Sequence, residues 1–190
     1  MKLLPLLLLA LLTSCASVAE NPTPPAYVSE APLPKGWPEP GPYDQVTEKS
    51  LPAYRAAFTS QAGQGRAFWR LFLHIKNNDI PMTAPVEMAM DPTEGRLERS
   101  TMAFLYQNES VGATGPAGKA IEVRDVPAAR VLSYTWQGAD TAATLAKARE
   151  ALDTALAARR LRATSYRLLG YNGPSTPRAK RTWELQAVLK

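Results

Sequence analysis

Along residues 66–76 the apolar side chains Phe68, Leu71, Phe72 and Ile75 recur at i, i+3, i+4 and i+7, a spacing that places them on one face of a helix. Trp69 and Leu73, four apart, widen that stripe beyond what one packed face requires. Arg66, Arg70 and His74 repeat every four residues along another side. Asn77-Asn78-Asp79 ends the pattern, because short polar side chains compete for the local backbone hydrogen bonds. Residues 80–90 then read as an extended segment. Pro81 and Pro85 interrupt its pairing, which predicts an edge strand or a bulge.

The second half repeats this order. A helix is predicted from an N-cap at Asp140 or Thr141 to Arg159-Arg160, ends that suit the helix dipole, with a core stripe of Leu145, Ala148, Leu152, Ala155 and Leu156. Much of that stripe is alanine, so this helix can approach a sheet closely, whereas the first is bulky. Strict alternation separates Trp183, Leu185, Ala187 and Leu189 from Glu184, Gln186, Val188 and Lys190, and separates Ile121 and Val123 from Glu122 and Arg124. Leu51-Pro52-Ala53-Tyr54-Arg55 is echoed by Val126-Pro127-Ala128-Ala129-Arg130. Each echo precedes a strand-like run (56–58; 131–134), a break, a helix and two extended stretches (80–90 and 99–107; 165–171 and 182–190). The fold class is therefore α+β: a duplicated strand-strand-helix-strand-strand unit, antiparallel, with a helix on each half.

Ahead of this domain the pattern changes. Met1-Lys2 and the apolar run 3–12 form a signal peptide too short to span a bilayer. Leu12-Thr13-Ser14-Cys15 resembles the lipobox of bacterial lipoproteins, which makes Cys15 the expected site of diacylglyceryl and palmitate attachment, and the membrane a partner through that anchor. Ala16 after the cysteine implies an outer-membrane destination facing the periplasm. Residues 21–42 carry eight of the chain's seventeen prolines and few large apolar side chains, so they read as a semi-stiff spacer. The expected organisation is a signal peptide over 1–14, lipidated Cys15 and tether over 15–42, and one folded domain over 43–190.

The inventory for catalysis is thin. Cys15 and His74 are the only cysteine and histidine, so no second thiol and no multi-histidine metal site is available. No phosphate-binding glycine loop or Gly-x-Ser-x-Gly elbow occurs. Glu87, Glu184, Tyr106 and Tyr171 are the groups that a carboxylate-based hydrolase would have to bring together. The net charge of +5 suits anionic headgroups or an acidic ligand, and an exported lipoprotein is not expected to meet nucleic acid.

An aromatic helix ending in asparagine, followed by Met82-Thr83-Ala84-Pro85-Val86, resembles the signature of the SOUL haem-binding family. Gly170-Tyr171-Asn172-Gly173-Pro174 and Arg181-Thr182-Trp183-Glu184-Leu185 resemble its closing hairpin. The resemblance implies eight strands curled into a distorted barrel flanked by two helices, and a non-enzymatic function in binding haem or another tetrapyrrole. That ligand is a planar, mostly apolar anion, which needs an apolar platform with cations at its rim. Phe68, Trp69, Arg70, Phe72, Leu73, Met82 and Met88 are the expected ligand-binding residues, held mainly by hydrophobic contact. The sequence departs from the family at the axial ligand, where Lys49 stands in place of histidine, and Gly65 and Leu73 fall where basic residues are expected. His74 is the remaining candidate axial ligand, although it shares a stripe with Arg66 and Arg70 and reads better as a solvent-edge residue. Two other functions stay open: an envelope scaffold with a degenerate pocket, or a small hydrolase of the related barrel superfamily.

Overall fold

The structure is a computed structural model that describes residues 27–190 apart from 61–63, 94 and 119. The signal peptide, Cys15 and the first half of the tether lie outside the described residues. In chain order the elements are β1 (Val46–Leu51), β2 (Tyr54–Ser60), α1 (Gln64–Asn77), β3 (Val86–Thr93), β4 (Arg96–Leu105), β5 (Gly115–Pro116), β6 (Ile121–Val126), β7 (Ala129–Gln137), α2 (Ala142–Ala158), β8 (Ala163–Gly170) and β9 (Thr182–Leu189). The strands form one antiparallel sheet in the order β1-β7-β9-β8-β3-β4-β2-β6-β5.

The duplication is visible in that order. Exchanging β1 with β6, β2 with β7, β3 with β8 and β4 with β9 reverses the eight-strand series onto itself, so a pseudo-two-fold axis runs between β3 and β8. The echoed Pro52-Ala53 and Pro127-Ala128 each separate two strands that do not pair with each other: β1 pairs with β7 while β2 pairs with β6. Proline has no amide to donate, and the chain uses that break to pass from one half to the other.

Among the described residues nine strands stand where eight were expected, and the sheet they form does not close. The added strand β5 lies along β6, matching Gly115 with Val123 and Pro116 with Glu122. Pro116 has no amide to donate, and the Ala117 amide extends the pairing by one bond to Ile121 O at 2.8 Å; β1 and β5 are left as the two edges of the sheet. β3 is also no edge strand: it pairs with both β4 and β8, with a register shift between Met88 and Met90. That shift is the bulge the prolines predicted, although Pro81 and Pro85 themselves precede the strand.

The pleat gives the sheet two buried faces. One packs under the helices: Ala67, Leu71 and Ile75 of α1, and Ala148, Leu152 and Leu156 of α2, lie against Met88, Phe104, Leu132, Tyr134, Leu168, Leu185 and Ala187. Thr141 caps α2 by accepting a hydrogen bond from the Thr144 amide. The opposite face holds Tyr54, Ala56, Phe58, Leu105, Val131, Leu169 and Tyr171, and the proline-rich segment covers it.

Residues 27–42 are thus more than a spacer. Trp37 is buried edge-on against Tyr54, with ring centroids 5.2 Å apart. The Lys35 amide donates to Gln107 O, the Ala84 amide to Pro32 O, and the Gly41 amide to Thr135 Oγ1. Proline fixes an extended backbone that needs few internal bonds, so a segment with no core of its own can still lend one aromatic ring to another core.

Candidate functional site

Ala67, Leu71 and Ile75, each four residues apart, are the part of α1 that is pressed to the sheet. Phe68 and Phe72 stack at 6.3 Å on the flank, and Phe68 meets Phe104 edge-on at 5.2 Å. Trp69 lies perpendicular to both phenylalanines. Trp69 and Leu73 remain 60 % and 51 % exposed. An indole left this open forgoes a large burial energy, which a ligand can recover.

Opposite α1 stands the connection from β8 to β9. A groove of about 490 Å³ runs between them, lined by Phe68, Trp69, Met88, Met102, Arg181 and Trp183, with Gly65, Val86, Asp140, Gly170, Asn172 and Pro174 completing its walls. A second groove of about 250 Å³ adjoins it and shares Phe68, Val86, Gly170, Asn172 and Pro174. It adds Phe72, Met82, Thr83, Ala84 and Tyr171. Gly170 is required here: a Cβ on it would lie 2.9 Å from the Trp183 ring. Without one, that ring packs close to the β8 backbone while its Nε1 donates to Gly138 O at 3.1 Å. Arg181 fixes the loop by donating to Thr176 O and Pro174 O, both at 2.9 Å.

Of the seven expected ligand-binding residues, Phe68, Trp69 and Met88 line the larger groove and Phe68, Phe72 and Met82 the smaller. Arg70 and Leu73 line neither. Met88 is buried and Met82 half-buried, so they serve as floor rather than rim. Trp183, Met102, Gly170 and Arg181 were not anticipated. A signal for three of them was present, since Gly170, Arg181 and Trp183 belong to the closing-hairpin motif. Both motifs border the same grooves, and Val86 pairs with Gly170 across β3 and β8.

His74 is half-buried, with Nε2 2.7 Å from the hydroxyl of buried Tyr106 and Nδ1 beside the Asn78 amide at 3.4 Å. Burial holds the imidazole below its ordinary pKa and raises that of Tyr106 to about 12. This histidine braces α1 against the loop after β4 and lines neither groove. Lys49 is on the sheet face away from the helices, where Nζ contacts Glu184 at 2.8 Å. Neither candidate axial position therefore serves the groove. The residues present fit a planar apolar guest held by Trp69, Phe68, Trp183 and the two methionines, with Arg181 as a cation at the rim. They offer thioethers and no imidazole. Among the described residues no group of three His, Cys, Asp or Glu could hold a metal ion.

The far face carries a buried polar chain. Tyr54 donates to Glu87 Oε2 at 2.7 Å, and Arg167 Nη1 bonds both Tyr54 and Glu87, at 2.7 and 3.2 Å. Arg167 Nε donates to Gln186, and Gln186 to Glu184. Glu184 also accepts from Lys49, Tyr171 and Thr135. Burial, and then the adjacent carboxylate, push Tyr54 and Tyr171 well above the ordinary phenol value. Glu87, Glu184 and Tyr171 do converge on this face; Tyr106 is on the other. A cavity of about 350 Å³ opens beside Tyr54, Glu87 and Arg167.

A family model described as SOUL heme-binding protein matches residues 42–187. No curated protein matches the sequence. Among solved structures, the C-terminal domain of EcmrR is similar at a TM-score of 0.60 and 14 % identity, over 77 % of this chain and 97 % of that one. A hydrolase from Listeria innocua is similar at 0.59 and 10 %, over 79 % and 94 %. At these identities the likeness is one of fold.

Proposed function

Since the chain belongs to the SOUL haem-binding protein family, we propose that it is a non-enzymatic binder of haem or another tetrapyrrole, carried on the bacterial envelope by a lipid on Cys15. The observation that supports this reading is the convergence of both family motifs on two adjoining apolar grooves, the larger beside an exposed Trp69. A flat macrocycle would lie against Trp69, Phe68 and Trp183, over the thioethers of Met88 and Met102. Arg181 would pair with a propionate, and Arg66 or Arg70 with another if the ring extends along α1. The bound iron would supply the ligand's colour and redox chemistry; the residues here supply shape and dispersion contact.

The hydrolase reading requires a carboxylate poised to take a proton. Glu184 is fully buried and accepts from four side chains, an arrangement that holds structure rather than catalyses. The test of the binding reading is a hemin titration of the full-length protein followed at the Soret band. Saturation at micromolar ligand is expected, in wild type and in His74→Ala alike. No saturable shift in wild type would overturn it.

A further inference from the structure

The exposed large hydrophobic residues among those described are Val28, Trp69 and Leu73. Trp69 lines the larger groove, Leu73 follows one turn later on α1, and the carbonyl of Val28 accepts from Asn172 of the groove wall at 3.0 Å. The outward stripe of α1 alternates these apolar side chains with cations: Arg66, Trp69, Arg70, Leu73, Lys76. Across the groove the β8–β9 connection adds exposed Arg178 and Lys180 beside Arg181. The acids nearby are largely engaged. Glu30 accepts from the Gly173 amide and Thr176, and Asp140 pairs with Arg99; Asp79 at the end of α1 is exposed.

The third observation is where the described chain starts. Tyr27 packs edge-on against Tyr171, 5.5 Å between centroids, and Tyr171 borders the smaller groove, while Cys15, the expected anchor, is twelve residues ahead of Tyr27 in sequence. We propose that this face docks on an anionic lipid bilayer, with Trp69, Leu73 and Val28 entering the headgroup region and the cations of α1 and of residues 178–181 meeting lipid phosphates. A tryptophan flanked by arginines is suited to that boundary, where its ring is buried and the charges stay wet. The groove then opens onto the membrane, and an apolar guest passes between bilayer and protein without crossing water. The docking itself requires no guest.

The test uses full-length protein on vesicles of phosphatidylcholine with and without phosphatidylglycerol, in the absence of porphyrin. Brominated lipids quench tryptophan only on contact; Trp37 and Trp136 are buried and Trp183 is half-buried in the groove wall, so Trp69 is the one exposed indole among the described residues. Quenching is expected on the anionic vesicles, reduced in Trp69→Phe to the remainder that half-buried Trp183 gives, and shifted about tenfold to weaker lipid affinity by Arg66→Glu with Arg70→Glu or by salt that shortens the screening length. Emission indifferent to brominated lipid, or quenching undiminished in Trp69→Phe, would overturn the proposal. So would a shift that follows protein concentration instead of lipid, which would mean that a second copy covers this face. Because no porphyrin is present, failure here leaves the hemin titration untouched.

Discussion

At the scale of single residues, Gly170 and His74 have roles that their neighbours dictate. Gly170→Ala places a methyl group 2.9 Å from the Trp183 ring, so the ring must leave its seat on β8. The expected cost is about 1–3 kcal/mol of stability, as for other overpacked sites, read from urea unfolding. Porphyrin affinity should fall with it, because Trp183 is a wall of the groove. For His74, burial keeps the folded-state pKa below the ordinary 6.5 of imidazole. The unfolded chain therefore takes up the proton first as pH falls. Stability is complete above the unfolded value and is lost as pH drops through 6.5 toward the lower folded value. His74→Gln should flatten that part of the stability profile relative to wild type, as measured by denaturant midpoints on either side of pH 6.5.

At the scale of elements, the proline-rich segment and the buried ion pair decide how much of the chain is one folding unit. Trp37→Ala empties a filled site between Tyr54 and Arg167 and should cost about 3–5 kcal/mol by chemical denaturation, a loss that a mere spacer would not show. Lys49→Ala leaves Glu184 buried without its cation and should cost a similar amount. Lys49→Met with Glu184→Gln should recover part of that loss, because the unpaired charge is gone. These elements also mark what the sequence could reveal. The helix α1 and its exposed Trp69 and Leu73 followed from periodicity, and the Thr141 cap and α2 stripe from local chemistry. The repeat showed the halves, and the motifs showed the family. Three features were not legible. The alternation in β9 separated its two faces without revealing that both are buried, since Glu184 and Gln186 are satisfied by Lys49, Tyr171 and Arg167 from distant strands. Proline composition could not show that Trp37 has a partner. Nor did the alternation show that a two-residue strand, β5, lies along β6 at one end of the sheet.

At the scale of the whole molecule, the two halves share one topology and differ in what they leave open. Alanine-rich α2 seats closely, while aromatic α1 holds a groove between itself and the β8–β9 connection. The central claim is that this groove takes a planar macrocycle by shape and apolar contact, with no histidine on the metal. Metal-free protoporphyrin IX separates that claim from iron coordination. The measurement is its titration into full-length wild type and Trp69→Ala, followed by porphyrin absorbance beside hemin. Wild type should bind the metal-free ring saturably and within a few-fold of hemin. Trp69→Ala should bind it roughly thirtyfold more weakly, about 2 kcal/mol for losing half an indole face. Binding of hemin but not of the metal-free ring, or undiminished binding by Trp69→Ala, would contradict it.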